Sequence, residues 1–246
     1  MNFIDGEILC IDKPLKWTSF DVVNKIRLMF KNYMGIKKIK VGHAGTLDPL
    51  ATGIVVVCTG KATKKIEQLM NHDKEYVATF RFGQTTPSSD LETLPEGNYP
   101  TQHLTKEFLE DVVKKNFIGE VEQVPPVFSA IRIDGKRADE LARKGQTDVE
   151  LKSRVVNISS FTIESLVHVP TEEQQIDVVA RIRCSKGTYI RSIARDLGAL
   201  SGSGAHLAAL RRTAVGNYTE ANSLSMEQVE QLIREQQPIT QERQSI

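Results

Sequence analysis

One carboxylate of this chain, Asp48, lies in a segment that suits the presentation of a reactive side chain. Residues 42–53 read GHAGTLDPLATG. The glycines permit backbone angles that other residues resist, and Pro49 disfavours a helical conformation at Asp48. A carboxylate on a shaped loop can act as a nucleophile or stabilise positive charge on a sugar. The same residue types also form ordinary turns, in which an Asp side chain binds backbone amides, so both interpretations are open.

Asp48 follows a tract of positive charge. Between Val22 and Leu47 the chain has six basic residues and no Asp or Glu; they are Lys25, Arg27, Lys31, Lys37, Lys38 and Lys40. A lone acid at the end of such a tract suggests a site for a polyanion. A solvated helix face would give the same count, and charge alone does not separate the two.

The surrounding segments predict the elements that would position Asp48. Residues 7–11 and 54–58 read as strands, and Thr18-x-x-Asp21 is a capping box that predicts the start of a helix. Further along, the patterns predict helices over 61–70, 105–116, 189–200 and 205–211, strands over 75–82, 155–167 and 175–184, and a loop over 85–101. Strands outnumber helices without a regular βαβ rhythm, which indicates an α+β fold with a mixed, largely antiparallel central sheet and flanking helices.

Composition is that of a soluble globular protein, with 246 residues, 40% hydrophobic and 26% charged. Cys10, Cys58 and Cys184 lie far apart, which favours buried thiols over disulfides or zinc. The five histidines show no ligand spacing, so we expect no metal and no cofactor. No signal peptide, lipidation motif or long apolar run is visible, and we expect a cytoplasmic protein without membrane contact.

Five segments, in order, resemble the signature of the TruB family of RNA pseudouridine synthases. They are DKPLKWTS at 12–19, residues 42–53, KEY at 74–76, CSKGTYIR at 184–191 with DLG at 196–198, and GAHL at 204–207 with LRR at 210–212. Together they span most of the chain and are far more specific than any one of them. Lys16 stands where the family pattern has glycine, a departure that bears on the shape of the first loop.

The resemblance implies isomerisation of uridine to pseudouridine at position 55 in the T-loop of tRNA. The bond from ribose to N1 is cleaved, the base turns, and a bond to C5 replaces it. By this resemblance Asp48 is the nucleophile, Arg191 pairs with its carboxylate, and Tyr76 is a catalytic residue that stacks on the target base and can handle a proton. Without the motifs, Arg191 would be an ordinary helix arginine and Tyr76 an ordinary core residue.

A stacked uridine cannot reach a catalytic carboxylate, so the base must be flipped out, at a cost of about a few kcal/mol. By resemblance, His43 occupies or stacks beside the vacated space, and Tyr189 and Leu210 line the base pocket. Outside the motifs His43 would be an ordinary loop residue. Tyr189 and Leu210 would be ordinary core residues.

Residues 125–154 resemble a basic insertion of the family that grips RNA, with a hairpin turn predicted at Asp134-Gly135. The predicted phosphate ligands are Lys13, Lys136, Arg137, Arg143, Lys144, Lys186, Arg211 and Arg212.

We predict a catalytic domain over 1–212 and a tail over 213–246 with one helix starting at Ser225-x-x-Gln228. This tail is shorter than the C-terminal PUA domain of larger bacterial members, so no complete PUA domain is expected.

A second hypothesis, from another functional class, is a noncatalytic RNA-binding or tRNA-folding protein that uses the same basic face. It requires no carboxylate near phosphate, and the joint presence of Asp48, Tyr76 and Arg191 argues against it. Gly60-Lys61 lacks P-loop spacing, and no G-x-S-x-G elbow supports a hydrolase. We therefore expect a monomeric enzyme that binds the T-arm of tRNA, with no guide RNA and no obligatory protein partner.

Overall fold

The computed structural model describes residues 2–133, 135–146, 151–169 and 175–236. The strands are β1 (Ile8–Lys13), β2 (Val41–His43), β3 (Ala51–Thr59), β4 (Lys74–Phe82), β5 (Gly119–Gln123), β6 (Arg132–Ile133), β7 (Lys136–Arg137), β8 (Arg154–His168), β9 (Ile176–Cys184), β10 (Ala205–Val215) and β11 (Tyr218–Thr219). The helices are α1 (Ser19–Met34), α2 (Ile66–Met70), α3 (Lys106–Asn116), α4 (Ala138–Ala142), α5 (Ile190–Leu200) and α6 (Met226–Arg234). Strand pairing is largely antiparallel, which confirms the predicted α+β class. No helix among these residues is long and apolar enough to cross a membrane.

The chain divides into two compact units. Unit 1 consists of Met1–His72 and Arg211–Ile246, and unit 2 of Asp73–Leu210. The division falls within β10, whose residues belong to both units. The domain boundaries predicted from the sequence, including the tail without a complete PUA domain, stay predictions.

In unit 1, β3 pairs antiparallel with β1 and with β2. Eight of its nine residues are buried, so both faces of this strand are covered. Gly53 of β3 lies against the backbone of Arg212. A Cβ at position 53 would lie only 2.2 Å from the Arg212 carbonyl oxygen. The close approach requires glycine and brings Arg212 to the strand that follows Asp48.

Helix α1 begins and ends as its sequence predicts. Thr18 and Asp21 form the capping box, and Gly35 ends the helix with a φ of 68°. Its inner face includes the buried residues Val22, Val23, Ile26, Met29 and Phe30. Helix α6 likewise begins at a Ser225–Gln228 capping box, which confirms the predicted C-terminal helix.

In unit 2, four strands pair antiparallel in the order β4-β9-β8-β5. Along β4 every second residue is buried, so the alternation predicted over 75–82 is confirmed. Helix α5 over Ile190–Leu200 confirms the helix predicted over 189–200. Strands β6 and β7 pair around the predicted hairpin turn, of which Gly135 has a φ of 81° and Asp134 lies outside the described residues.

Two predicted helices are wrong in whole or in part. Residues 205–211 belong to strand β10, in which the Leu207 amide donates to the Ser89 carbonyl at 3.0 Å. Ala and Leu favour a helix locally, but strand pairing with distant residues overrides so weak a preference. The helix predicted over 61–70 starts as a 3-10 helix over Gly60–Lys65 and becomes α-helical only at α2.

Candidate active site

The Asp48 loop, residues 44–50, connects β2 to β3 in unit 1 and is tied to the first residue of α1 and to the segment before it. The Leu47 amide donates to Ser19 Oγ at 2.8 Å, and Ser19 Oγ donates back to the Leu47 carbonyl. On the other side of Asp48, the Lys16 amide donates to the Pro49 carbonyl at 2.8 Å. These bonds hold the backbone on both sides of the half-buried Asp48, so the loop presents a defined carboxylate position.

Lys13 lies inside unit 1, with its side chain fully buried. Its Nζ donates to the carbonyls of Pro14, Trp17 and Ala51 at 3.0, 2.6 and 2.5 Å. Burial lowers the pKa of Lys13 to about 8. The negative charge of Asp48 raises this pKa, but by less than burial lowers it. The predicted phosphate ligand is thus a buried cation that binds the backbone beside the Asp48 loop.

Arg212 is the second buried cation of this loop. Its side chain is enclosed, and Nε donates to the Ile54 carbonyl at 2.6 Å. Its terminal nitrogens donate to the carbonyls of Thr46 and Gly45 at 3.1 and 3.2 Å. Arg212 therefore fixes the first half of the loop, a role that its LRR motif could not reveal because its partners lie more than 150 residues away in sequence.

Arg211, the neighbouring predicted ligand, points to the surface and is paired with acids. It forms ion pairs with Asp12 at 2.8 Å and with Glu220. Because two carboxylates already neutralise it, a phosphate would have to compete with them.

His43 ends β2 opposite Val57 and is half-buried. Burial lowers the pKa of His43, against a smaller opposite effect of the Gly45 backbone. The imidazole is therefore neutral at physiological pH. A neutral ring at this position can stack on a base without requiring a counterion.

Lys16, which replaces the glycine of the family pattern, has a left-handed backbone with a φ of 67°. This conformation costs an L-residue about 1–2 kcal/mol.

We expect Lys16→Gly to raise the free energy of unfolding by about 1 kcal/mol, since relief of strain exceeds the extra entropy of the unfolded chain. Urea denaturation measures it. As a matched control, Lys25→Gly within α1 should lower the same free energy by about 1 kcal/mol, and a change of equal sign in both variants would contradict the prediction.

Unit 2 contains the predicted tyrosines. Tyr76 is buried in β4 and pairs with Ile182 of β9. Tyr189 directly precedes α5. Its amide donates to Gln123 Oε1 at 2.8 Å, and the Arg154 guanidinium lies over its ring, 4.3 Å from the ring centroid. Both rings are held by regular elements, so their positions are defined.

Arg191 lies in the first turn of α5 and is 6% exposed. Its Nη1 donates to the Phe128 carbonyl at 2.8 Å, and its Nε lies 3.5 Å from Asp90 Oδ2. The predicted pairing of Arg191 with Asp48 joins residues of different units and stays a prediction.

Asp90 is a buried site residue that the sequence analysis missed. Residues 85–101 show only loop composition, yet Asp90 is 6% exposed, and its carbonyl accepts from Thr86 Oγ1 and Ser88 Oγ at 2.6 and 3.0 Å. Ser89 adopts a φ of 60°, a strained conformation that these bonds support. Asp90 shares this segment with Glu92 and Glu96, so the sequence does not single it out, and its bridge to Leu207 of β10 forms only in the folded chain.

The other predicted RNA ligands lie in unit 2 and are exposed. Arg137 pairs with Asp139 at 2.7 Å, and Arg143 pairs with Glu92 at 2.7 Å and Asp139 at 3.3 Å. Lys136, Lys144 and Lys186 are also exposed, and Leu210 is half-buried in β10.

Among the residues that the structure describes, no cluster of His, Cys, Asp or Glu could hold a metal ion.

Two family models match consecutive parts of the chain. The model of the TruB family pseudouridylate synthase N-terminal domain matches residues 31–190, and that of the tRNA pseudouridylate synthase B C-terminal domain matches residues 191–244. Fold and site thus define the class of protein as a pseudouridylate synthase, an isomerase. Within this class, the chain belongs to the TruB family.

Curated relatives agree over nearly the full length. The chain is 54% identical to tRNA pseudouridine synthase B of Phocaeicola vulgatus, covering 96% of this chain and 97% of the relative. It is 51% identical to tRNA pseudouridine synthase B of Parabacteroides distasonis, covering 96% of each.

Solved structures share the fold. The chain resembles one chain of a Cbf5-Nop10-Gar1 complex with a TM-score of 0.64 and 27% identity, covering 92% of this chain and 53% of that one. An archaeal box H/ACA sRNP Nop10-Cbf5 complex gives a TM-score of 0.61 at 24% identity, over 94% and 54%. The chain spans about half the length of these solved chains, so only the fold is compared.

Proposed function

We propose that this protein isomerises uridine to pseudouridine in tRNA, at position 55 of the T-loop, with Asp48 as the nucleophile. The observation that carries the proposal is the Asp48 loop itself, which Lys13 and Arg212 hold from inside unit 1. A binding protein has no need of two buried cations that fix the backbone on both sides of one carboxylate. The names of the curated relatives support tRNA as the substrate.

The reaction balances without a cofactor. The bond between C1′ and N1 breaks, a bond between C1′ and C5 forms, C5 loses its hydrogen to water, and N1 gains a proton. The Asp48 carboxylate attacks the nucleotide, or stabilises the sugar while the base departs, and Arg191 pairs with this carboxylate.

The remaining residues bind the flipped base and the RNA backbone. The neutral ring of His43 stacks beside the space that the base leaves, and Tyr76, Tyr189 and Leu210 line the pocket. Lys136, Arg137, Arg143, Lys144 and Lys186 contact phosphates. The protein acts as a cytoplasmic monomer, without guide RNA or protein partner.

Release of the C5 hydrogen tests the proposal. A T-arm hairpin with tritium at C5 of its uridines should release the label of one uridine to water when the wild-type protein is added. A hairpin with cytidine at the target position is the control and should release none. Tight binding of the hairpin without release would refute the assignment and favour the noncatalytic RNA-binding protein.

A further inference from the structure

We infer that unit 1 has a second RNA contact site, a cleft with lysines at its rim and isoleucines at its floor. The inference rests on the proposed function, because it takes the tRNA substrate as the occupant. The cavity has a volume of about 360 Å³. Its lysines are Lys38, Lys40, Lys61 and Lys64, and its apolar floor is formed by Ile4, Ile36 and Ile39. We call it the lysine cleft.

Three segments of unit 1 meet to form the lysine cleft, namely residues 2–5, residues 36–40 and the 3-10 helix over Gly60–Lys65. The Gly60 amide donates to the Lys40 carbonyl at 2.8 Å. Gly60 has a φ of 51°, and a Cβ there would lie 2.1 Å from the Ile4 carbonyl oxygen. Glycine at position 60 therefore lets the three segments approach, and the lysines converge because of this close packing.

The charge of the lysine cleft is poorly compensated. Lys38, Lys40 and Lys64 are exposed and, within the described ranges, form no ion pair of 4 Å or less. Lys61 is the exception, since it pairs with Asp5 at 2.9 Å. Adjacent positive charges repel one another, and a phosphate backbone that enters the cleft would relieve this repulsion and release counterions.

The apolar floor distinguishes the lysine cleft from a solvated lysine surface. Ile36 and Ile39 are half-buried and Ile4 is 43% exposed, so a ligand with an apolar face would cover them. A nucleotide offers both parts, with ribose and base faces for the isoleucines and phosphate for the lysines. Charge and shape together favour a single-stranded or loop segment of RNA.

The lysine cleft is within reach of the RNA that enters the active site. Lys40 directly precedes β2, and His43 ends it. Three residues of extended strand span about 10 Å. Nucleotides close to the target uridine can therefore contact the lysines while His43 faces the opened stack.

The test removes three charges from the lysine cleft and measures the salt dependence of tRNA binding. The variant Lys38→Gln/Lys40→Gln/Lys64→Gln removes the charges but keeps polar, unbranched side chains at three exposed positions, so we expect it to fold. Each phosphate contact contributes a slope of about 0.7–0.9 to the dependence of log Kd on log salt. Between 50 and 200 mM KCl, the wild type should therefore lose about 30-fold more affinity for an unmodified tRNA transcript than the variant does.

Two further variants control for net charge. Lys106→Gln/Lys114→Gln/Lys115→Gln on the exposed side of α3 removes the same charge and should keep the salt dependence of the wild type. Asp5→Asn removes the partner of Lys61 and should act in the opposite direction, adding about threefold to the affinity lost over the same salt range. Circular dichroism and thermal unfolding verify that each variant is folded.

The outcomes separate the two proposals. If the wild type isomerises uridine and the cleft variant keeps its salt dependence, the lysine cleft does not bind RNA and the proposed function stands. An equal change in both triple variants also rejects the cleft, because net charge would then explain it. A wild type that releases no C5 label rejects the proposed function alone, and the difference in Kd between the triple variants still decides whether the cleft binds RNA.

Discussion

Replacing Asp48 by Asn should reduce isomerisation at least about 10⁴-fold and leave the Kd for the T-arm hairpin within about twofold. Asn has the size of Asp and can occupy the same loop, but it carries no negative charge and is a poor nucleophile. Binding persists because the phosphate contacts and the shape of the RNA supply it. Single-turnover release of C5 tritium measures the rate, and fluorescence anisotropy measures the Kd.

Asp111→Asn is the matched control for this substitution. Asp111 lies on the exposed side of α3 and pairs with Lys115 at 2.5 Å, so its loss should leave the rate within about twofold. An Asp48→Asn variant that retains wild-type release would refute the nucleophile assignment. A loss of binding as large as the loss of rate would instead indicate a damaged loop.

The second large effect is expected at Lys13, where Lys13→Met should lower the free energy of unfolding by about 3 kcal/mol at pH 7. Methionine fills the volume but leaves the carbonyls of Pro14, Trp17 and Ala51 without their donor. For a chain of this length we expect the Tm to fall by about 6–12 °C. Differential scanning calorimetry measures it, and Lys25→Met, at an exposed position of α1, should change the Tm by less than about 2 °C.

The lowered pKa of Lys13 also predicts that the stability of the protein depends on pH. Burial lowers the pKa of its folded-state amine to about 8 from an ordinary value of 10.5. Between these values the unfolded chain binds a proton that the folded protein does not, so the Lys13 contribution to the free energy of unfolding increases with pH in this window and is constant below it. The difference between wild type and Lys13→Met should therefore grow by about 3 kcal/mol from pH 7.5 to 10.5.

Urea denaturation of both proteins across this pH range isolates the contribution of Lys13, because the other titrating groups cancel in the difference. A difference that stays constant with pH would show that the folded amine titrates near its ordinary pKa. A Lys13→Met variant as stable as the wild type would show that the three carbonyls find other donors. The first result would contradict the effect of burial on the Lys13 pKa, and the second would show that Lys13 does not support the Asp48 loop.

The elements that the sequence predicts well are those whose signals are local. The capping boxes at Thr18 and Ser225 place the starts of α1 and α6, and the alternation of β4 shows its buried face. The motif around Asp48 identified the family because its residues are contiguous and their order is specific. Local signals failed in β10, where Ala and Leu favour a helix but pairing with other strands prevails.

The sequence by itself determined the family, the α+β class and the loop that presents Asp48, because each depends on residues that lie close together in the chain. Tertiary structure alone decided that Lys13 and Arg212 are enclosed, that Asp90 lies beside Arg191, and that scattered lysines converge at one cleft. The physical reason is that burial, desolvation and the pairing of charges depend on which distant segments pack together. A linear pattern records the type of each residue but not the neighbours that it acquires on folding.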